Sequence, residues 1–446
     1  MFAILANRIY RRLFTAQIVA LLGTGLLTVA LGLLAFDIAG QNAGQVLGLA
    51  LAIKMVAYVG LSPVMAALVA RLNRRSVLIA ADLVRATAAV CLPFIDAVWQ
   101  IYALIFVLQA ASATFTPTFQ AVIPDILPDV GEYTRALSLA RLAYDLENLL
   151  SPLLAGLMLL VIAPSGLFVG TAAGFLASAA LVYSIKLPPS LAVADRPFRE
   201  RLTMGTRIYL ATPRLRGLLA LNMNVAVISA VVLVLTVVIA RGIYGGSEPE
   251  LAVALGAYGA GSMATALILP RLLDRVRDRP VMIASSAVSA VLMLFVGGYV
   301  NLWGWPSWLL FIGLWFSIGA ALAGVTTPSG RLLRRSAHPD TRPAVFAAQF
   351  ALSHACWLLG YPLAGFLGSA AGVETAMLAA AGIAVLSTGL AIWLWPARTE
   401  PAIEHSHDDL PPGHPHLEGA VRKGDVWVHR HVFVIDDEHR VWPTSG

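Results

Sequence analysis

The sequence predicts an all-α, polytopic membrane protein: twelve transmembrane helices in two six-helix bundles, followed by a short His-rich tail. Three observations carry this. Of 446 residues, 58% are hydrophobic and only 13% are charged, whereas a soluble domain has about 25% charged residues. Twelve stretches are long and apolar enough to cross a bilayer, which takes about 20 residues each. The basic residues fall almost entirely on one side of the resulting layout. The same composition excludes a disordered chain. A disulfide scaffold is excluded because the two cysteines, Cys91 and Cys356, both lie in apolar runs.

The expected spans are 13–36, 44–70, 76–95, 97–122, 135–162, 166–187, 215–240, 250–273, 280–300, 307–330, 343–368 and 373–396. They are rich in Leu, Ala, Val, Gly and Ile on all faces, as helices surrounded by lipid and by each other must be. Nothing alternates over ten-residue segments as a membrane barrel would. The first stretch follows Arg8, Arg11 and Arg12 like a signal peptide. Its apolar part is too long for one, and no small-x-small cleavage site follows, so it reads as a span. Pro117, Pro152 and Pro362 fall inside spans and interrupt their hydrogen-bond ladders. Trp303, Trp305 and Trp308 sit at an outer edge and read as interface anchors.

With the N-terminus inside, 22 of the 31 Lys and Arg residues lie on cytoplasmic flanks and loops, and the outer loops hold only Arg241. Positive loops resist translocation, so both termini are expected in the cytoplasm of a multi-pass protein of the cell (inner or plasma) membrane. The formal charge of +6 then faces anionic membrane lipid, and no nucleic-acid partner is expected.

The apolar runs divide at 188–214, a basic stretch read as a cytoplasmic linker loop. This gives an N-terminal bundle, 1–187, a C-terminal bundle, 215–396, and a tail, 397–446. The halves echo each other. Arg71-Leu72-Asn73-Arg74-Arg75 ends span 2, and Asp274-Arg275-Val276-Arg277-Asp278-Arg279 ends span 8. Span 5 opens Thr134-Arg135 and later reads Pro152-Leu153-Leu154-Ala155-Gly156. Span 11 opens Thr341-Arg342 and later reads Pro362-Leu363-Ala364-Gly365. A parallel repeat of this kind places two bundles around a central path.

On these residues the chain resembles the major facilitator superfamily, in particular its drug:proton antiporter-like twelve-span exporters, over roughly residues 10–396. The family's loop motif reads Gly-x-x-x-Asp-Arg-x-Gly-Arg-Arg. Arg71, Arg74 and Arg75 match its basic positions, while Ala70 and Asn73 replace its Asp and second Gly. The second-half copy keeps Asp274 and Arg275. The resemblance implies that Arg71, Arg74, Arg75, Asp274 and Arg275 form gating loops that hold one access state.

A charge at mid-bilayer costs about 2.5–3.5 kcal/mol even on the lenient insertion scale, so each one needs a reason. Span 2 holds Lys54, and span 3 holds Asp82 and Arg85 at pairing distance. Span 5 holds Arg141 and Asp145, four apart on one helix face, which suits a structural ion pair or a proton site. Glu147 lies about 200° round the helix from Asp145 and cannot share Arg141 well, so one of the two carboxylates is a candidate proton carrier. Span 11 carries His354, either packed and neutral or a substrate contact. Glu147 and His354 both fall twelve residues past the opening Arg of their spans, which predicts related depths if no gap intervenes. Gln17, Gln109, Asn148, Asn222, Asn224 and Gln349 either line the path or bond between helices.

The tail holds seven of the nine histidines, including the three His-x-His pairs His405/His407, His414/His416 and His429/His431. Imidazole suits Zn, Ni, Co or Cu, so these six are candidate divalent-metal ligands. Alternate residues share one face of a strand, and Val426–Ile435 alternates as a strand or hairpin. A solvated tail without metal is the plainer alternative. No catalytic constellation and no phosphate-binding Gly loop occurs, so neither an enzyme nor an ATP-driven pump is expected, and no cofactor. The expected function is secondary active transport, by proton-coupled efflux of small organic compounds. The alternative is a divalent-metal (Ni/Co/Zn) exporter whose tail collects ions.

Overall fold

Each apolar run forms a helix in the computed structural model, which describes residues 2–39, 43–188, 197–245, 248–397, 402–407, 417–424, 426–436, 438–439 and 442–443. After a 3-10 turn at Phe2–Ala6, the first half comprises α1 (Arg8–Ala39), α2 (Ala43–Val69), α3 (Arg74–Cys91), α4 (Val98–Ile126), α5 (Val130–Leu159) and α6 (Pro164–Tyr183). A connecting helix, α7 (Phe198–Ala211), leads to α8 (Pro213–Val237), which continues as a π-helical stretch, Val238–Ile243. Then follow α9 (Glu248–Leu273), α10 (Asp278–Trp303), α11 (Trp308–Thr326), α12 (Ser329–Arg335), α13 (Arg342–Ala370) and α14 (Val373–Leu394).

Local chemistry sets the ends. The Asn73 and Asp129 side chains accept the Arg75 and Glu132 amides at the starts of α3 and α5, satisfying donors that have no partner within the helix. Prolines open α6, α8 and α13, where no amide is needed. Gly304 (φ 80°) and Gly372 (φ 92°) take the left-handed backbone at the turns after α10 and α13.

Eleven segments among the described residues are long and apolar enough to span a membrane. The twelfth crossing is α5, 30 residues long, which carries Arg141, Asp145 and Glu147. Two details differ from the sequence reading. The stretch 188–214, read as a loop, contains α7. Its Met204, Gly205, Ile208 and Tyr209 share one buried face, while Arg199 and Arg207 point outward. Span 10 is broken after Thr326, and its last turns form the separate α12.

The packing repeats. In the first half α1 packs on α5 and α6, α2 on α4, and α3 on α4 and α6. In the second half α8 packs on α13 and α14, α9 on α11, and α10 on α11 and α14, the same pattern six crossings later. The two six-helix bundles meet through α2 on α13 and α5 on α9, contacts that exchange under the same correspondence. Glycine permits the closest approach: a Cβ on Gly261 would collide with the Phe316 carbonyl, and one on Gly319 with that of Tyr258.

Polar braces hold a three-helix seam in each half, α3–α4–α6 in the first and α8–α10–α14 in the second. In the first, buried Asp82 and Arg85 pair on α3, and the guanidinium lies over Phe115 (4.2 Å) and Phe175 (4.5 Å). In the second, Asn224 of α8 donates to the carbonyls of Ser286 (3.1 Å) and Ala384 (3.4 Å) and to Thr388 (3.2 Å), while Ser289 donates back to it (3.0 Å). Asn224 is thus an interhelical bond-former.

The tail forms a small antiparallel sheet of β1 (Ala402–His407), β2 (Val421–Lys423) and β3 (Val426–Val432), in the order β1-β3-β2. Ala402 pairs with Val432 and His405 with His429. Phe433 and Ile435 pack into the core of the second half, beside Trp442, over whose ring Arg214 lies at 5.4 Å. At the other end of the chain, Ile4 packs with Leu127 and Ile185. Both chain ends therefore lie on one face, called here the terminal face.

Candidate functional site

A cavity of about 620 Å³ lies between the two halves. From the first half it is lined by Lys54 and Tyr58 of α2 and by Arg141, Tyr144 and Asp145 of α5. From the second half come Asn222, Tyr258, Gln349, His354, Trp357 and Tyr361.

Asp145 is buried and held at 2.9 Å by the Arg141 guanidinium one helical turn away. Arg141 Nε also donates to Ser262 of α9 at 2.9 Å, so this ion pair bridges the halves within the membrane. Glu147 faces elsewhere. It packs at the α1–α5 seam, near Gly25 and Ser151, and among the described residues no cation lies within ion-pair distance of it. Lys54 is the cation whose field reaches both Glu147 and His354. Its ammonium sits 5.6 Å from the centre of the Tyr58 ring.

His354 is both packed and cavity-lining. Its ring stands edge-on to Tyr58 at 4.7 Å and lies 4.2 Å from Phe350. Nδ1 is 2.7 Å from the Phe350 carbonyl. A carbonyl only accepts, so Nδ1 carries the hydrogen and Nε2 is the nitrogen left for the cavity. The equal spacing from the opening arginines does not put Glu147 and His354 in equivalent surroundings. Cavity positions fall six, nine and ten residues past Arg135 in α5, but seven, eleven, twelve, fifteen and nineteen past Arg342 in α13, so position twelve faces the cavity in α13 alone. A shift of one residue turns a helical side chain by about 100°.

Among the other polar residues, Gln17 bonds to Tyr144, and Gln349 accepts from the Tyr209 hydroxyl of α7. Pro117 and Pro362 sit inside the continuous α4 and α13. The side chains of Asn148 and Pro152 lie outside the described residues. Trp303 is 71% exposed, while Trp305 and Trp308 pack on Tyr244.

On the terminal face the halves are latched. Asp125, at the end of α4, takes Arg74 of its own half at 2.6 Å and Arg342 of the other half. Arg74 also reaches the Pro339 carbonyl at 3.5 Å. Arg331 donates to Thr134 at 2.7 Å, Tyr133 to the Gly330 carbonyl at 3.3 Å, and Arg334 to the Pro128 carbonyl. Above these lie Ser62 on the Ala347 carbonyl (3.3 Å) and Tyr58 on Phe350. Beyond Tyr58, the side chains of Met55, Leu233, Trp357 and Tyr361 form the cavity wall. The cavity therefore faces away from the terminal face.

Of the expected gating residues, Arg74 lies in this latch, and Arg75 bonds the Tyr183 carbonyl within its own half. Arg71, Asp274 and Arg275 are exposed at the turns. In the second half the ion pairs belong to Asp278, the first residue of α10, with Arg331 and Arg335 at 2.8 Å each. The sequence reading gives Asp125, Asp278, Arg331 and Arg342 no part in gating, since a charge at a helix end gives no sign of its partner.

The tail brings histidines together across strands. His405 Nε2 is 3.0 Å from His429 Nε2 and 2.9 Å from His439 Nε2. His439 belongs to no His-x-His pair. The side chains of His407 and His431, and all of His414 and His416, lie outside the described residues. Asp436 bridges His439 (2.8 Å) and His338 (3.3 Å) of the α12–α13 loop. The hydrogen bond to Asp436 raises His338 above the ordinary histidine value, against the opposing effect of burial. Burial alone would raise Asp436, but hydrogen bonds from His338 and His439 hold it well below the usual carboxylate range.

Two equivalent six-helix halves, a cavity between them in the membrane and a latch at one end define a polytopic membrane transporter. The chain belongs to the Major Facilitator Superfamily, whose model matches residues 13–243 and 217–435. It is 25% identical over 326 residues to the uncharacterized MFS-type transporter YfiS of Bacillus subtilis (strain 168), covering 71% of this chain and 77% of that protein. Its fold is similar to that of a bacterial homologue of the iron transporter ferroportin in an outward-facing state (TM-score 0.71, 13% identity), covering 86% of this chain and 99% of that one. It is also similar to the human organic anion transporter MFSD10 (TETRAN), with TM-score 0.69, 15% identity and the same shares covered. Like the family, the chain is a secondary transporter and not an enzyme.

Proposed function

We propose that the protein exports small organic compounds across the cell membrane in exchange for protons. Residues 1–187 would rock against 215–396 in alternating access, with both termini in the cytoplasm. The cavity carries this reading. Its volume, about 620 Å³, lies in the range of sites for small organic molecules, about 300–1,000 Å³. The aromatic rings of Tyr58, Tyr144, Tyr258, Trp357 and Tyr361 offer apolar faces to such a solute. Lys54 and the Nε2 of His354 supply polar contacts.

Glu147 is the proton carrier in this scheme. Asp145 is committed to Arg141, whereas Glu147 has no ion-pair partner among the described residues. With the latch closed on the terminal face and the inside orientation of the basic loops, the conformation is outward-facing. Arg74, together with Asp125 and Arg342, holds that state, and Asp278 with Arg331 and Arg335 braces it from the second half.

The test is transport in proteoliposomes under an imposed pH gradient, screened over organic solutes. Glu147→Gln should lose pH-driven accumulation while keeping solute exchange. Normal gradient-driven transport in that variant would overturn the assignment.

A second reading, divalent-metal export with an ion-collecting tail, draws support from the histidine cluster of the tail and from the fold shared with the ferroportin homologue. Against it, the only group of three metal-binding side chains among the described residues lies in the tail and not in the cavity. Deleting residues 402–446 and measuring Ni, Co and Zn tolerance separates the readings, since only metal export predicts a loss.

A further inference from the structure

We propose that His405, His429 and His439 hold one divalent transition-metal ion, and that the loaded site stabilises the latch on the terminal face through Asp436 and His338. Strand register begins the construction: β1 and β3 pair antiparallel with His405 opposite His429. After β3 the chain folds back on itself. The Asp436 amide donates to the His439 carbonyl (3.1 Å), and the His439 amide to Asp436 Oδ1 (2.7 Å). That return brings the His439 ring over the strand pair, with Phe433 walling it at 4.5 Å and His405 at 5.1 Å. His429 and His439 are both buried.

Each of the three rings brings a nitrogen within 4.8 Å of the other two. In a tetrahedral site with metal–nitrogen bonds of about 2.0–2.1 Å, ligand nitrogens stand roughly 3.3 Å apart. The two separations through His405, 3.0 and 2.9 Å, need only a few tenths of an ångström of expansion. Hydrogen bonds from ring to ring do not account for the arrangement. His439 gives its Nδ1 hydrogen to Asp436, so its Nε2 presents a lone pair. A neutral His405 Nε2 has at most one hydrogen to share between two facing nitrogens. A cation at the centre accepts all three lone pairs.

The donor set selects its ion. Imidazole nitrogens without a carboxylate or carbonyl oxygen suit Zn, Co, Ni or Cu, not Ca or Mg. Asp436 is the partner that orients a ligating histidine.

The same carboxylate leads to the latch. Its second oxygen holds His338, whose backbone carbonyl accepts the amides of Thr341 (3.1 Å) and Arg342 (2.9 Å) at the start of α13. Arg342 grips Asp125 of the other half, and Pro339, next to His338, accepts Arg74. Metal, Asp436, His338 and the cross-half ion pair thus form one contiguous chain of contacts. This inference does not depend on which solute is carried.

The test uses the full-length protein in nanodiscs, titrated with Co(II) alone and then Zn(II) in competition. One equivalent should bind with the visible absorption of tetrahedral Co(II). His405→Ala, His429→Ala and His439→Ala should each abolish that signal, and Asp436→Asn should weaken binding by about 10- to 100-fold. Metal should also shift spin-label distances across the terminal face toward the closed state. His338→Ala should keep metal affinity and lose the shift. Size-exclusion profiles and thermal melts without metal identify variants that fail to fold, and Asp436→Asn, with all three ligands present, tests the site should an alanine variant do so. Binding that survives in all three folded histidine variants would be that of a loose His-rich segment and would overturn the site. An unshifted distance in metal-loaded wild type would overturn the coupling.

Discussion

Arg342→Gln isolates the cross-half bond of the latch. Asp125 serves two arginines, one from each half. Removing Arg342 leaves Asp125 paired with Arg74 at 2.6 Å, so no buried charge is orphaned and folding should be preserved. What is lost is one charge-assisted hydrogen bond, about 1.5–3 kcal/mol in general. The Asp125 side chain is 21% exposed, and partial solvation screens the pair, so the lower part of that range applies, about 1.5–2 kcal/mol. At 1.4 kcal/mol per factor of ten, the closed-to-open ratio at the terminal face should fall roughly 10- to 30-fold. Spin labels at Leu72 and Arg277, one exposed position on each half, read that ratio by pulsed dipolar spectroscopy with Cys91 and Cys356 replaced. A closed population unchanged in a folded Arg342→Gln protein would refute the role of this bond in the latch, because among the described residues Arg342 is the second-half side chain bonded to Asp125.

Two further perturbations act on the scaffold. Arg85→Leu leaves the fully buried Asp82 without its cation and should cost about 3–5 kcal/mol in thermal-melt stability; an unchanged melting temperature would show the pair to be dispensable. Gly319→Leu forces α9 and α11 apart, because even a Cβ would collide with the Tyr258 carbonyl, so the folded fraction on size exclusion should drop sharply. Gly313→Leu, which meets no neighbour, should leave it unchanged.

The spans were legible because bilayer thickness imposes a length and an apolar composition that no other constraint in the chain imitates. The duplicated halves were legible for a related reason: loop charges and intrahelical prolines recur at matching places. The connecting helix α7 was missed although Met204, Gly205, Ile208 and Tyr209 mark one helical face, since the surrounding arginines dominate its composition. The Arg141–Asp145 pair was readable because both partners lie on one helix, four residues apart. Its bond to Ser262, and the Asp125–Arg342 bridge, join residues 121 and 217 positions apart, which a single sequence does not encode visibly. The histidine cluster shows the same limit. Composition announced the histidines, but strand register and the return at Asp436 are what bring His439, outside every His-x-His pair, to His405 and His429.

The polarity of the helix ends has a consequence for how such a chain can be built. At equivalent positions the first half begins α3 with Arg74, and the second begins α10 with Asp278. Across the seam, Arg331, Arg334 and Arg342 of the second half all reach toward oxygens of the first. Donors are weighted toward the second half, with Arg74 and Tyr133 of the first donating back to the Pro339 and Gly330 carbonyls. Two copies of the second half alone would set Arg331, Arg334 and Arg342 against their own copies at that face, so the seal as built uses one of each. Fusion into a single polypeptide guarantees that stoichiometry in every molecule made.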